Sequence, residues 1–469
     1  MKKKYLLIIA FLSLIFLGFS DGAFNSYAGA SLSFTPKEKN DEKGIALKLN
    51  GVFAGQYTLD NAFILRGHFN VHTDDIFANG LFQDTAAFFT IKEVSTSYRF
   101  LTENINQQAS LFLGEFESFG SDSFVKKYFG TKNLTSTILL PTLGLDTVGM
   151  FKFYGLGLAY SIKLASPTAF GLYFYYNKTE EDVLKLPTSI PDTEVPEEPD
   201  SSLPDDSIPD DSIPDDSVED LLESLPENNE ALTETTKEYV RRLNADFRFS
   251  AAWDSLILDA DLGISLPLKT QIVYEDESKE PKDVILLIEY AELRAGVSML
   301  IGNNPITNLF LQFGILKYDL NPQAEENKLP LENIYLYMEP RFTTEYLKCN
   351  VAFFCLPKTA TKNLQFINNS IGCNISFASQ PIILFNQNAD LGCNFTVSAS
   401  PEGFSDIKAD SFDFQISPYM NLYLFGGTFE LASVINPTKF KEFEKFISVS
   451  LGYKAFLWKK WTKKFLVFL

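Results

Sequence analysis

The chain has 469 residues, 40 Lys and Arg against 60 Asp and Glu for a formal net charge of −20, and an aromatic share of 14% that includes 44 Phe and 20 Tyr. Between Thr179 and Glu238, 21 acidic residues face only Lys185 and Lys237, so −19 of that charge belongs to one stretch and the remainder is nearly neutral. The acidity therefore describes an insert rather than a surface, and the lack of any basic stripe with interleaved aromatics argues against nucleic-acid binding.

In chain order, residues 1–20 read as an export signal. Lys2, Lys3 and Lys4 precede an apolar run from Tyr5 to Leu17, and small residues follow at Gly18 and Ser20, with a second small-residue site ending at Ala28. No Cys follows the run, so no lipid anchor is expected. Beyond it no stretch of about 18 apolar residues occurs, which predicts no membrane-spanning helix.

What does occur, repeatedly, is alternation with a period of two. In Asn244–Trp253, Ala245, Phe247, Phe249, Ala251 and Trp253 fall on one face, while Asn244, Asp246, Arg248 and Ser250 fall on the other. Leu258, Ala260, Leu262 and Ile264 repeat the pattern at once, with a short turn between. The spacing predicts strands at roughly 28–35, 43–56, 61–73, 87–100, 108–117, 150–164, 169–177, 239–253, 255–266, 284–300, 308–318, 334–347, 349–356, 364–378, 389–399, 411–425, 427–435 and 445–457.

Three features separate a transmembrane barrel from a soluble sandwich. The strands are long enough for a tilted crossing. Their second face is rich in Gly, Ser, Asn and Thr with isolated charges of both signs, as a wet lumen requires. Aromatics gather near strand ends, at Tyr173–Tyr176 and Tyr419–Phe425, where an interfacial girdle is expected. Because each unpaired backbone group in hydrocarbon costs several kcal/mol, the sheet must close. The expected fold is all-β: a transmembrane antiparallel β-barrel of about 16–18 strands, wide enough for an aqueous channel. Its parts are 21–178 and 239–469, separated by a disordered acidic loop at 179–238 that repeats Pro-Asp-Asp-Ser from Pro204, Pro209 and Pro214.

The stretch LGEFESFGSDSFVKKYFG at 113–130, together with the strand pattern, resembles the porin-like outer-membrane barrels of Gram-negative-type bacteria. The resemblance implies a loop after 113–117 folded into the lumen, passive diffusion of small hydrophilic solutes, and residence in the outer-membrane bilayer after delivery by the barrel assembly machinery. Such chains usually end on an aromatic residue; here Phe468 is penultimate and Leu469 last.

Candidate pore-lining residues follow from strand parity: Lys48, Arg66, His68, His72, Arg99, Lys163, Asp246, Arg248, Asp259, Asp261, Glu292, Arg294, Glu339, Arg341 and Glu345. Rings of mixed charge suit a general diffusion pore, and cross-strand pairing that stiffens the wall is the competing role. His68, His72 and Asp74 invite a metal-site reading, and His72 with Asp74 and Asp75 an acid–base one. However, positions four apart on an extended strand are about 13 Å apart, so lumen lining is the expectation. Cys349, Cys355, Cys373 and Cys393 all fall on apolar faces, with spacings of six, eighteen and twenty that do not suit zinc. They read as lipid-facing side chains, with a Cys373–Cys393 cross-strand disulfide as the alternative. No nucleophile-elbow, zincin or phosphate-loop motif occurs, so neither catalysis nor a cofactor is expected. An adhesin-like barrel that binds ligands through its loops is the second reading. Uptake of hydrophobic substrates is disfavoured, because no plug-sized segment precedes the second strand.

Overall fold

The computed structural model describes residues 22–39, 42–59, 62–78, 85–102, 105–116, 153–184, 235–274, 281–288, 290–302, 306–320, 331–361, 364, 366–367, 369–401, 408 and 411–461. The signal segment, nearly all of the insert, most of 113–130 and the final Phe468-Leu469 lie outside these residues.

Among the described residues twenty strands follow one another: β1 (Gly22–Lys39), β2 (Glu42–Leu59), β3 (Phe63–Thr73), β4 (Ala87–Leu101), β5 (Asn106–Phe116), β6 (Phe153–Lys163), β7 (Thr168–Leu184), β8 (Thr235–Ala252), β9 (Leu256–Tyr274), β10 (Pro281–Ile288), β11 (Glu292–Ile301), β12 (Thr307–Asp319), β13 (Ile334–Thr343), β14 (Leu347–Cys355), β15 (Ile371–Ser379), β16 (Ile382–Leu384), β17 (Gln387–Ala399), β18 (Asp413–Leu424), β19 (Gly427–Ile435) and β20 (Ile447–Trp461). Pairing is antiparallel between neighbours, and β1 pairs with β20 from Gly22↔Trp461 to Phe34↔Val449, which closes the sheet. β10 and β11 share β9, and β15 and β16 share β17, so each couple is one interrupted stave. The result is a closed 18-strand antiparallel barrel. Beside one another, β7 and β8 are joined by Ala252 N donating to Pro167 O at 2.9 Å and by the Phe170 and Phe249 rings, 5.3 Å apart. Lys178–Val240, holding the last residues of β7 and the first of β8, forms a unit of its own.

The two faces differ as the alternation demands. Leu156, Leu158, Phe174, Leu262, Phe313, Leu336 and Phe353 stand exposed on the outer face. On the inner face polar groups meet across strands: Ser97 with Ser110 at 2.8 Å, Gln312 Nε2 donating to Ser298 Oγ at 3.1 Å, and Asn374 Nδ2 donating to Thr396 Oγ1 at 2.6 Å. An apolar wall this extensive is not stable against water, and a closed sheet with such a wall is one of the two structures able to span hydrocarbon. Among the described residues no helix is long and apolar enough to do so. The barrel's outer surface is a lipid face.

The two ends also differ. At one end the strands are joined by two to five residues, as at Thr344–Tyr346, Phe385-Asn386 and Phe425-Gly426; the other end carries longer connections, including 356–370 and 436–446. Both β1 and β20 have their free termini at the short-turn end.

Departures from the sequence-based strands have local causes. The expected strand 284–300 breaks before Glu292, where β9 exchanges one partner for the other. The expected 364–378 begins only at Ile371, because the residues before it fold inward. The turn expected near residue 348 lies at Thr344–Tyr346: alternation runs on through the turn, but the Thr344 hydroxyl receives Leu347 N at 3.0 Å and donates to its carbonyl, which ends β13.

Candidate functional site

The inner wall of β8, β9 and β11–β13 carries a ladder of buried ion pairs. Arg242 donates twice to Glu292, Nε to Oε2 at 2.9 Å and Nη2 to Oε1 at 3.0 Å, with Lys317 Nζ 3.4 Å from the same carboxylate. Arg294 Nε donates to Asp246 Oδ1 at 2.6 Å, and its Nη2 donates to Tyr175 Oη at 2.5 Å. Arg248 Nη2 donates to Asp259 Oδ2 at 2.7 Å and lies 3.6 Å from Asp261. Glu339 accepts from Arg341 Nε at 2.6 Å and from the Tyr337 hydroxyl, and the Arg341 guanidinium sits 4.8 Å above the Phe310 ring.

Register explains how Asp246 on β8 reaches Arg294 on β11 across the intervening β9. Both residues stand opposite Gly263. A Cβ at Gly263 would lie 2.0 Å from Asp246 Oδ1 and 2.4 Å from Arg294 Nε, so only glycine leaves the pair room to meet above the backbone. A Gly263→Ala substitution is expected to separate the pair.

Other candidates are more dispersed. Arg66 Nη1 is 3.5 Å from Glu93 on the neighbouring strand, and Arg99 is buried opposite Gln108. Lys48 and His72 keep exposed side chains on the inner face, and Lys163 is half-buried at the end of β6. Glu345 falls in the exposed Thr344–Tyr346 turn rather than on the wall, because β13 ends at Thr343, four residues earlier than its alternation suggests. His68 lies edge-on to Tyr27 at 6.2 Å and His72 stacks on Phe88 at 5.0 Å, so each ring has its own aromatic neighbour. Among the described residues no three His, Cys, Asp or Glu side chains are grouped to hold a metal.

Asp75 is not turned toward His72. It pairs with Lys37 and accepts Leu47 N at 2.9 Å and Phe77 N at 3.0 Å. Partial burial works to raise its pKa, but the Lys37 ammonium and the two backbone N–H groups outweigh it and hold the carboxyl below its ordinary 3.8. A depressed folded value means stability present above 3.8 and lost as pH falls through the folded value. The stability difference between the wild type and Asp75→Asn should therefore shrink on acidification below 3.8, read from unfolding curves at a series of pH values; a difference independent of pH would refute the assignment.

Aromatic residues face inward as well. Tyr173 and Tyr175 are buried on the inner face with Phe112, Phe116 and Phe153, while Phe174 and Tyr176 alone of that run reach the lipid face. Tyr419 also lies inside, its ring lying over Gly392, where an added Cβ would come within 2.2 Å. The girdle expected at these two runs is thus split between the faces, since a strand turns successive side chains to opposite sides. Sequence reading missed Arg242, Lys317, Glu93, Tyr175 and Tyr337; Arg242 was within reach, because it shares the parity of Asp246 and Arg248.

A described segment enters the barrel after β14; the loop expected to enter after β5 lies outside the described residues. Leu356, Leu364, Phe366 and Ile367 pack with Phe310, Tyr335, Tyr337, Ala352 and Phe354 of the inner wall. Thr396 Oγ1 donates to Phe366 O at 3.2 Å, Asn369 Nδ2 to Ser398 Oγ at 3.1 Å, and the Phe366 ring lies 5.3 Å from Tyr419. The segment returns on itself where Leu356 N donates to Ser370 O at 2.6 Å. Beside it stand Glu339 and Arg341 of β13, and beneath it β15, β17 and β18 present mainly amides and hydroxyls. Both amide atoms of Asn394, the Gln415 carbonyl, the Ser417 hydroxyl and the Asn421 carbonyl have no protein partner there. Leaving each dry would cost about 1–3 kcal/mol, so this wall is one that requires water.

The cysteines lie outside the functional wall. Register sets Cys373 opposite Val397 and Cys393 opposite Phe377, four positions out of step, and all four thiols are free. The hairpin is centred on Phe385, not on the midpoint of the two cysteines, so the Cys373–Cys393 bridge does not form. Electrophoretic mobility should be the same with and without reductant; a band that shifts on reduction would contradict the register.

No protein-family model matches the chain, and no curated protein does. Solved structures resemble it at low identity. OccK11 of Pseudomonas aeruginosa aligns over 94% of this chain and 99% of its own at 7% identity and a TM-score of 0.45. A mutant porin of Rhodopseudomonas blastica aligns over 93% and 100% at 8% identity and 0.39. Wzi of Escherichia coli, described as an outer membrane protein involved in group 1 capsule assembly and a carbohydrate-binding β-barrel, aligns over 97% and 88% at 8% identity and 0.39. By its own strand pairing, with a lipid face outside and a polar wall inside, this chain is a closed antiparallel barrel of 18 staves.

Proposed function

We propose that the chain is an outer-membrane channel through which small hydrophilic solutes diffuse without a cofactor. The observation that carries this is the pairing of a closed 18-strand barrel with an inner wall whose amide and hydroxyl groups need water. A barrel of about 16–18 strands encloses an aqueous interior. Ion pairs along β8–β13 make one side of the passage polar but charge-compensated, β15, β17 and β18 make the other amide-rich with Asp390 as a carboxylate among them, and the segment after β14 narrows it.

Barrels of this kind place short turns in the periplasm and long connections outside. On that orientation an export signal at 1–20 delivers the chain, and both described termini face the periplasm. Reconstitution into planar bilayers tests the proposal: discrete, salt-dependent conductance steps are expected, and a protein that inserts but stays silent across voltage and salt would overturn it. The inward segment also favours a second reading, a closed barrel that binds ligands through its loops. That reading expects silence in the bilayer, with cell-surface binding lost when 179–238 is deleted.

A further inference from the structure

We infer that the outer face of β6–β9 holds one anionic phospholipid, with its phosphate on Arg241 and an acyl chain in a groove over Ala245. The inference needs the lipid face of the barrel, not the conduction of solutes.

Outward parity on β8 runs through Arg241, Leu243, Ala245 and Phe247. Ala245 is the small member of that row, and Ile264 stands opposite it on β9. Large side chains surround it: Leu156 is 54% exposed, Leu158 60%, Phe174 55% and Leu243 45%. Where the alanine stops short, these walls enclose an apolar groove of about 590 Å³, within the ~300–1,000 Å³ of ordinary ligand pockets.

Arg241 stands above the groove at headgroup depth. From Ala252, the short-turn end of β8, the strand climbs eleven residues to Arg241, and a tilted strand needs about 9–11 to cross the hydrocarbon core. Leu243 and Ala245 lie two and four residues deeper, at the level of the acyl chains.

Charge supplies the selectivity. Arg241 is exposed, and among the described residues it has no hydrogen-bond or ion-pair partner. A guanidinium on a lipid-facing stripe is costly in hydrocarbon and close to neutral in effect at the interface. Its planar donors match a phosphate with two parallel bonds. A zwitterionic headgroup brings its own cation to that phosphate, whereas an anionic one leaves the charge to Arg241. Lipid contact alone extends over the whole outer wall; a guanidinium set directly over a groove at acyl depth can hold both ends of one molecule. A second copy of the chain would cover the groove with a convex wall that does not enter it, whereas a flexible acyl chain does.

The test uses the full-length chain in nonionic detergent with equal amounts of phosphatidylglycerol and phosphatidylcholine carrying the same chains, and native mass spectrometry counts what stays bound. One phosphatidylglycerol per barrel is expected. Arg241→Gln should lower the preference for phosphatidylglycerol over phosphatidylcholine about tenfold, as loss of one charge-assisted contact does, while lipid is still held. Ala245→Phe fills the groove and should abolish retention of both lipids. Leu336→Phe, on the outer face of β13, is the control and should retain lipid as the wild type does. Inorganic phosphate should not displace the lipid.

Unselective retention by the wild type, or retention untouched by Arg241→Gln and Ala245→Phe, would overturn the inference. Displacement by inorganic phosphate would make Arg241 an anion site with no chain in the groove, and paired barrels lost on Ala245→Phe would put a second copy there; either result overturns it too. A barrel silent in planar bilayers that still retains its lipid would remove the channel reading and leave this one standing.

Discussion

Excising residues 357–369 and joining Leu356 to Ser370 through two glycines should raise single-channel conductance severalfold and weaken discrimination by solute size. Leu356 N already donates to Ser370 O, so the ends meet without moving β14 or β15. The excision removes Leu364, Phe366 and Ile367 from the inner wall and uncovers Thr396 and Ser398, which the segment holds by hydrogen bonds. Its stability cost is real, because burying each such side chain contributes about 1.5–3 kcal/mol. Phe366→Ala is therefore the companion variant: it deletes the ring against Tyr419 while keeping the chain length, and an intermediate conductance is expected. Unchanged conductance in both folded variants would show that the passage is limited elsewhere.

Asp246→Ala should destabilise the barrel by about 3–5 kcal/mol, the usual consequence of removing one partner from a buried ion pair. Asp246 has no exposed side-chain surface and its partner Arg294 little, so screening by solvent reduces the effect only slightly. The guanidinium would keep only the Tyr175 hydroxyl. Replacing both charges, Asp246→Ala with Arg294→Met, should recover most of the loss, since no uncompensated charge remains. Urea unfolding of the reconstituted barrel, with the two single variants and the double variant in one cycle, measures the coupling. Additive single effects would mean that the pair does not act as a unit. Gly263→Ala should move in the same direction as Asp246→Ala, because an added Cβ occupies the place where the two side chains meet.

Much of this architecture was legible in the chain. Period-two alternation is a property of a few consecutive residues, so it assigns Asp246, Arg248, Asp259 and Asp261 to one face and Phe247, Leu262 and Ile264 to the other without knowledge of neighbours. The closure of the sheet followed from hydrogen-bond arithmetic in hydrocarbon, and the strand count from repeated segments of crossing length. The neutrality of everything outside 179–238 likewise needs only counting.

Register and depth were decided by the tertiary structure. A strand's faces survive any shift of two residues, so alternation cannot say which residue lies opposite which. That freedom separates Cys373 from Cys393, and it sets Asp246 and Arg294 on either side of Gly263. Nor does local pattern show which apolar run leaves the wall: Leu364, Phe366 and Ile367 read as part of a strand, and only the ring of Tyr419 and the hydroxyls across the lumen make the inside of the barrel the better place to bury them. By itself the sequence determined that the chain is a membrane barrel with a polar interior, because that rests on local period and on the cost of unpaired backbone. What narrows the interior and what stitches its charged wall were settled only in three dimensions, because each depends on residues far apart in sequence arriving at the same height.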